Sequence, residues 1–317
     1  MKINSRRSFI TGIKSVTLSS KEIRFLKTYE PWGVILFSRN IKNFSQTLNL
    51  VKSIKEIFKD QSYPILIDEE GGKVNRLNKI LNTRNFSADF IGKLYKKSKK
   101  KGLIYYYNYI DQLSYLLNFL GVSINTVPVL DIPRNKTSKV LTSRTFSKNL
   151  KIVDKLGQET ILRFKKNKIA TVMKHIPGHG LGETDSHFRM PIVSKTEKYL
   201  LKNDFKAFMN KKTLFAMTAH IMFKKLDPEF TVTHSKKLIR IIRKKIRFIN
   251  LIITDDISMK ALPYNLKTNT LKAFTAGCDI VLHCNSNIKE MTIVAKNSPK
   301  LNKFVISRTK KYYKLVS

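Results

Sequence analysis

The sequence has few of the features that mark secreted or membrane-spanning proteins. It contains only two cysteines, Cys278 and Cys284, which cannot supply the disulfide framework of a small secreted protein. It contains no run of about 18 apolar residues, which argues against a transmembrane helix. Residues 1–25 lack the continuous apolar segment of a signal peptide. We therefore expect a soluble, cytoplasmic protein.

Acidic residues are also scarce. The chain has 61 Lys and Arg residues against 22 Asp and Glu residues, so its formal net charge is +39. Such an excess is compatible with a binding surface for nucleic acid or anionic lipid. The basic residues are spread along the chain, however, and no nucleic-acid motif accompanies them. We therefore favour a general compositional preference for lysine, and the charge alone identifies no partner.

A recurring pattern supplies the fold prediction. Short apolar, β-branched runs end abruptly in polar or charged residues, and a helix-like segment follows. The runs are WGVILFSRN, PILIDEEGG, INTVPVLDIP, IATVMKHIPGHG, LFAMTAHIM, NLIITDDIS and CDIVLHCN. Because their apolar residues are continuous rather than alternating, these runs indicate strands that are covered on both faces, as in a parallel sheet.

The spacing of these runs favours a single (β/α)8 TIM-type barrel over an open doubly wound sheet. Seven units are visible, so we expect the eighth after Asn285, around FVIS, as an abbreviated last unit. No linker or break in composition divides the chain, which predicts one catalytic domain over residues 1–317. Functional residues of such barrels collect where the strands end. The polar residues at those ends are Asp68, Asp131, Lys174, His175, His220, Asp255 and Asp256.

Two acidic motifs follow predicted strands. In IDEEGGKVNRL, Asp68 precedes two glycines, which permit a tight turn or the close approach of a ligand. Asp68 could accept hydrogen bonds from sugar hydroxyls and Arg76 could donate them; an acidic turn without a ligand is the alternative. In LIITDDISM, Asp255 and Asp256 point in opposite directions on an extended chain. One of them can therefore face the barrel mouth while the other caps the next helix. The alternative is that both aspartates act as helix N-caps.

Half of the six histidines lie in the loop KHIPGHGLGETDSH, residues 174–187. A Pro-Gly pair between His175 and His179 breaks any helix, which excludes a helical zinc motif. A nucleotide-phosphate loop would need a Lys-Ser or Lys-Thr pair that is absent. Asp185 and His187 are two residues apart, so a carboxylate could orient an imidazole on one side of an extended loop. This pattern is typical of acid–base chemistry, although a solvated loop histidine is the alternative.

These motifs occur together in a fixed order. KHIPGHG, four residues and then DSH, with DEEGG, PVLDI, MTAHIMF, ITDDISM and AGCDIVLHCN, strongly resembles the β-N-acetylhexosaminidases of glycoside hydrolase family 3 over residues 33–285. The resemblance implies a retaining glycosidase that releases terminal β-linked N-acetylglucosamine from cell-wall (peptidoglycan) fragments through a covalent glycosyl-aspartate. It implies no metal and no cofactor. Within it, Arg247 and Asn250 stand where glycine is usual.

The resemblance also implies roles for individual residues. Asp255 would be the nucleophile, His187 the acid/base and Asp185 the residue that orients His187. The residues that would hold the terminal sugar are Asp68, Arg76, Arg144, Lys174 and His175. The glycines of the loop are expected to leave it mobile enough to bring His187 in after the sugar binds.

Two other functions stay open. A phosphorylase would use the same residues with phosphate as the acceptor, because a neutral histidine base repels an incoming anion less than a glutamate would. The second open function is that of a catalytically inactive barrel that binds polyanions through its lysines. With the hydrolase favoured, the expected partner is a small carbohydrate, with no specific nucleic acid, no membrane insertion and a monomeric chain.

Overall fold

The computed structural model describes residues 3–186 and 189–317, which fold into a parallel barrel surrounded by helices. The strands are Arg7–Gly12 (β1), Pro31–Leu36 (β2), Ile65–Ile67 (β3), Ile124–Asn125 (β4), Ala170–Ile176 (β5), Ile192–Val193 (β6), Phe215–Thr218 (β7), Met222–Phe223 (β8), Leu251–Asp256 (β9) and Ile280–His283 (β10). Eight of them close in the order β1-β10-β9-β7-β5-β4-β3-β2, and β6 pairs with β8 separately. The predicted (β/α)8 barrel is thereby confirmed.

The helices lie mainly between successive barrel strands. They are Ser20–Tyr29 (α1), Phe44–Phe58 (α2), Ala88–Lys97 (α3), Lys99–Leu120 (α4), Lys139–Thr142 (α5), Leu150–Lys166 (α6), Glu197–Lys202 (α7), Lys236–Lys244 (α8), Leu266–Ala276 (α9), Ile288–Asn297 (α10) and Lys303–Val316 (α11). Every residue of β2 and of β5 is buried, as the continuous apolar runs predicted. Within 3–186 and 189–317, no helix combines the length and the apolar character needed to cross a membrane.

The eighth strand is not where the sequence analysis placed it. The segment FVIS after Asn285 belongs to α11, because the buried residues of that tail recur every three or four positions, as on one face of a helix. The barrel is closed instead by β1, whose Ile10 lies opposite Leu282 on one side and Gly33 on the other. The strand that the sequence analysis did not identify is therefore the first strand of the chain, and there is no abbreviated strand–helix unit after Asn285.

Helix α11 covers the end of the barrel where the strands begin. Its Tyr312 packs with Trp32 of β2 and Phe215 of β7 in one buried cluster inside the barrel. The indole Nε1 of Trp32 donates a hydrogen bond to Thr309 Oγ1 at 2.9 Å. Because this end is filled by side chains, the open end is the one where the strands finish, and polar residues are free to collect there.

Candidate active site

A cavity of about 380 Å³ lies at the end of the barrel where the strands finish. Every residue that the sequence analysis assigned to the site, apart from His187, lines it: Asp68, Arg76, Arg144, Lys174, His175, Asp185 and Asp255. His187, the predicted acid/base, lies outside the described residues. The structure thus brings together residues that are up to 187 positions apart in the sequence (255 − 68).

Lys174, in β5, is the cation at the bottom of this cavity. Its Nζ contacts the Asp68 carboxylate, lies 2.6 Å from Glu70 Oε1 and donates to Thr126 Oγ1 at 3.1 Å. Burial alone would lower the pKa of Lys174, but Asp68 and Glu70 outweigh burial and raise it. Lys174 is therefore charged and fixed in position before any ligand arrives.

Asp68 has partners from three parts of the chain: the loop after β3, the residue after β4, and β5. Arg76 Nη2 donates to its Oδ2 at 3.0 Å, and Thr126 Oγ1 donates to its Oδ1 at 2.7 Å. Burial alone would raise the pKa of Asp68, but the nearby cations, Lys174 first, outweigh burial and hold the pKa well below its ordinary value. Asp68 is consequently an ionised hydrogen-bond acceptor at any ordinary pH.

Glu70 is a site residue that the sequence analysis missed. Its carboxylate accepts two hydrogen bonds from Arg144, at 2.8 and 2.7 Å, in addition to its contact with Lys174. Burial alone would raise the pKa of Glu70, but Arg144 and then Lys174 outweigh it and lower the pKa. Arg144 is thus oriented by a bidentate ion pair. Glu70 is visible in the sequence as the second glutamate of DEEGG. A run of three acidic residues does not show which of them faces the cavity, however.

Asp131, which the sequence analysis placed at a strand end without a role, orients His175. Its carboxylate Oδ2 accepts from His175 Nδ1 at 2.7 Å, and its Oδ1 accepts from the His179 amide at 2.6 Å. Because the carboxylate is an acceptor, Nδ1 of His175 carries hydrogen, and Nε2 is left facing Asp255 Oδ2 at 3.9 Å. The sequence placed Asp131 at a strand end but gave no sign that it would support a histidine 44 positions later.

Asp255 presents the carboxylate that is suited to nucleophilic attack. It ends β9 beside Asp256, whose amide donates to Asp255 Oδ1 at 2.8 Å, and 21% of its side chain is exposed. Burial alone would raise the pKa of Asp255, but His175, His220 and that amide outweigh burial and lower it. Asp255 is therefore ionised at neutral pH and open to the cavity.

The two adjacent aspartates make separate contacts, as the strand geometry predicted, but the expectation that one of them caps the next helix is wrong, because the N-cap of α9 is Asn265. Asp256 Oδ1 accepts from the Ser258 amide at 3.1 Å and from Ser258 Oγ at 2.8 Å, so it stabilises the turn after β9. Its carbonyl oxygen accepts from His220 Nε2 at 2.9 Å. His220 consequently carries its hydrogen on Nε2, and burial lowers its pKa, so it is a neutral ring that supports the backbone next to Asp255.

The loop after β5 is held by close packing at its glycines. A Cβ on Gly180 would lie 2.0 Å from the carbonyl oxygen of Ile132, and Gly178 has φ +140°. Both positions therefore exclude larger residues for steric reasons. The sequence analysis explained these glycines by loop mobility and did not predict this close packing. Asp185 lies farther along this loop and faces the cavity.

No group of three or more His, Cys, Asp or Glu side chains in residues 3–186 and 189–317 is arranged to hold a metal ion. The charges around the cavity are instead balanced by ion pairs between side chains. Four carboxylates and four cations line it or contact its lining: Asp68, Glu70, Asp185 and Asp255 with Lys73, Arg76, Arg144 and Lys174. Such a cavity, with balanced charges and apolar walls, suits a neutral ligand rich in hydroxyl and amide groups better than it suits a free ion.

Comparison with known proteins agrees with this geometry. The glycosyl hydrolase family 3 N-terminal domain matches residues 10–308. A β-hexosaminidase from Shewanella frigidimarina is 29% identical over 286 residues, which are 87% of this chain and 81% of that protein.

Two solved structures are similar over almost the whole chain. NagZ from Neisseria gonorrhoeae in complex with N-trifluoroacetyl-D-glucosamine gives a TM-score of 0.87 at 26% identity, over 97% of this chain and 90% of that chain. A family 3 β-N-acetylglucosaminidase from Paenibacillus sp. str. FPU-7 gives a TM-score of 0.86 at 23% identity over 99% of this chain. This chain spans 62% of that longer protein, so the second match supports the fold alone.

Proposed function

The chain belongs to glycosyl hydrolase family 3 and is a glycoside hydrolase, and from that premise we propose that it is a retaining exo-glycosidase for terminal β-linked N-acetylglucosamine. The observation that carries the proposal is the ionised carboxylate of Asp255 at a cavity that Asp185 also lines. A β-hexosaminidase relative and a NagZ structure with a bound N-acylated glucosamine support the choice of sugar.

Hydrolysis would proceed by two displacements at the anomeric carbon. In the first, an oxygen of Asp255 bonds to that carbon, the glycosidic C–O bond breaks, and His187 gives its proton to the leaving oxygen. In the second, water attacks the same carbon, its proton passes to His187, and the electron pair of the sugar–aspartate bond returns to Asp255. Asp185 would orient His187 in both steps. The roles of His187 and Asp185 rest on the Asp-x-His pattern of the family.

The residues around Asp255 would bind and position the sugar. Asp68 would accept hydrogen bonds from sugar hydroxyls, while Lys174 and Arg76 would donate them. Because Lys174 is already fixed by Asp68 and Glu70, little side-chain freedom is lost when the sugar binds. His175, 3.9 Å from Asp255, would contact the sugar next to the reacting carbon.

The biological role follows from the resemblance found in the sequence. We propose that the substrates are peptidoglycan fragments, that the process is cell-wall recycling in the cytoplasm, and that one barrel domain carries the whole site. The protein would act as a monomer on small carbohydrates and would need no metal or cofactor.

The decisive experiment is the release of p-nitrophenol from p-nitrophenyl β-N-acetylglucosaminide. Asp255→Ala should lower kcat by about three orders of magnitude or more, because it removes the nucleophile. Asp89→Asn is the matched control, since Asp89 pairs with Lys93 at the surface, and it should leave kcat unchanged. A correctly folded wild type that cleaves neither the N-acetylglucosaminide nor the glucoside would contradict the proposal.

The same assay with added phosphate separates hydrolysis from phosphorolysis. We expect free N-acetylglucosamine as the product in both conditions. N-acetylglucosamine 1-phosphate would instead identify phosphate as the acceptor. His187→Ala should lose activity on this substrate chiefly in the second step, where p-nitrophenol has already left and a base is still required.

A further inference from the structure

The outer side of α11 is strongly cationic. The helix contains Lys303, Arg308, Lys310, Lys311 and Lys314 and no acidic residue. Its buried side packs on the barrel through Val305, Thr309, Tyr312 and Tyr313. All four lysines are exposed. The helix therefore presents a row of cations at the end of the barrel opposite the active site.

A cleft of about 390 Å³ lies between α6, the starts of β5 and β7, and α11. Four lysines surround it: Lys165, Lys212, Lys311 and Lys314. None of them forms an ion pair with any residue that the structure describes, whereas Lys93, Lys155 and Lys245 elsewhere on the surface each have a carboxylate partner. No carboxylate lines the cleft, and its floor includes Ile169, Leu214 and Leu315. It thus combines uncompensated positive charge with apolar surface.

Exposed apolar residues stand near the start of α11. Ile249 has 63% of its surface exposed and Phe304 has 37%. Arg308 lies between them: its guanidinium is 5.0 Å from the centre of the Phe304 ring, and its Nε donates to the Ile249 carbonyl oxygen at 3.2 Å. Exposed apolar side chains surrounded by cations are typical of an interaction surface rather than of a solvated one.

We propose that this surface docks on a bilayer that contains anionic phospholipid. The docking surface is defined by Lys165, Lys212, Ile249, Phe304, Arg308, Lys311 and Lys314. Its cations would approach the lipid phosphates, and Ile249 and Phe304 would enter the boundary between the headgroups and the acyl chains. No segment crosses the membrane in this arrangement.

A bilayer fits this surface better than a nucleic acid does. Both partners attract lysine and arginine, but only a bilayer offers an apolar layer for an aliphatic side chain such as Ile249. Proteins that bind single-stranded nucleic acid generally use exposed aromatic rings on which bases stack. The Phe304 ring is instead approached by two guanidinium groups, those of Arg243 and Arg308.

Docking would leave the active site open. The cavity with Asp255 lies where the strands finish, and α11 covers the end where they begin, so the mouth would face away from the bilayer. Hydrolysis of a small soluble substrate should therefore proceed at the same rate on and off vesicles. The inference is independent of the proposed sugar specificity, because it uses none of the residues of the cavity.

Vesicle co-sedimentation of the full chain tests the proposal. The wild type should bind vesicles of phosphatidylglycerol and phosphatidylcholine and not vesicles of phosphatidylcholine alone. The triple variant Lys212→Glu, Lys311→Glu, Lys314→Glu should lower the partition coefficient about tenfold or more. Ile249→Ser should lower it severalfold without changing the charge, which separates insertion from simple electrostatic attraction.

The matched control is Lys96→Glu, Lys97→Glu, Lys100→Glu, three exposed lysines near the junction of α3 and α4. It makes the same change in net charge and should retain most of the binding. Circular dichroism and the thermal midpoint establish that each variant is folded. Equal losses in the two triple variants, binding to neither vesicle, or binding to a single-stranded RNA but not to anionic vesicles would each overturn the proposal.

Discussion

At the scale of single residues, the buried charges of this molecule differ in how well they are compensated. Lys174 has two carboxylates around it, and its charge is stabilised. Asp204 is buried below the loop after β5 with only Arg134 Nη2 near it, at 3.3 Å, and its Oδ1 has no hydrogen-bond partner among the described residues. Burial therefore raises the pKa of Asp204 to about 6.

This shift predicts a pH-dependent loss of stability. Because the pKa of Asp204 is higher in the folded chain than the unfolded value of about 3.9, its contribution to stability is full below about pH 4 and is lost as the pH rises through 6. Asp204→Asn keeps the shape and removes the charge. Relative to this variant, the wild type should lose up to about 3 kcal/mol of unfolding free energy between about pH 4 and pH 8.

Urea unfolding of both proteins at several pH values measures this difference. Asp89→Asn, at an exposed ion pair, serves as the control and should follow the wild type. If the Asp204→Asn variant shows the same pH dependence as the wild type, the pKa of Asp204 does not change on folding and the argument from burial is wrong.

At the scale of elements, several helix-to-strand turns use charged residues where glycine has the more favourable backbone geometry. Among the described residues, Glu30 and Lys59 end α1 and α2 with φ of 44° and 48°. Arg247, between α8 and β9, has φ 62°. It is also one of the positions where the resemblance in the sequence leads us to expect glycine, so this turn has a backbone conformation that favours glycine although its residue is arginine. Left-handed conformations cost non-glycine residues roughly 1 kcal/mol or more.

Arg247→Gly should therefore stabilise the protein by about 1 kcal/mol. Arg247 is exposed, so little packing is lost in the substitution. Arg240→Gly, at an exposed position inside α8, is the control and should destabilise by about 1 kcal/mol, because glycine is unfavourable within a helix. Denaturant unfolding measures both changes. A lower stability for Arg247→Gly would show that the arginine side chain contributes more than its backbone conformation costs.

At the scale of the whole molecule, a net charge of +39 opposes the compact state. The ion pairs that the structure describes compensate only some of the lysines. Repulsion among exposed charges is screened within about 10 Å at 0.1 M salt. The folded chain should therefore be more sensitive to ionic strength than a protein of balanced charge.

Raising NaCl from low concentration to several hundred millimolar should raise the thermal midpoint by a few degrees. The variant Lys96→Glu, Lys97→Glu, Lys100→Glu carries +33, because each substitution changes the charge by two. It should gain less from the same salt. Differential scanning fluorimetry measures both midpoints, and an equal gain in the two proteins would attribute the effect to general salting-out instead of to charge screening.

The sequence by itself determined the fold class and most of the strands. Seven continuous apolar runs each became a barrel strand, because a strand buried on both faces requires apolar residues at successive positions. It also determined which polar residues stand at strand ends, and that Asp255 and Asp256 must face opposite ways. The family followed from the order and spacing of the motifs. These features are local, so a short segment contains the whole signal.

Only the tertiary structure decided which strand closes the barrel and which residues support the site. The pairing of β1 with β10 joins residues more than 270 positions apart (281 − 9 = 272), and nothing near Phe9 or Val281 specifies that contact. Glu70 and Asp131 likewise became site residues because folding placed Arg144 and His175 beside them. Such contacts depend on the closure of the whole barrel, which buries the pairs together. No segment of the sequence contains that information alone.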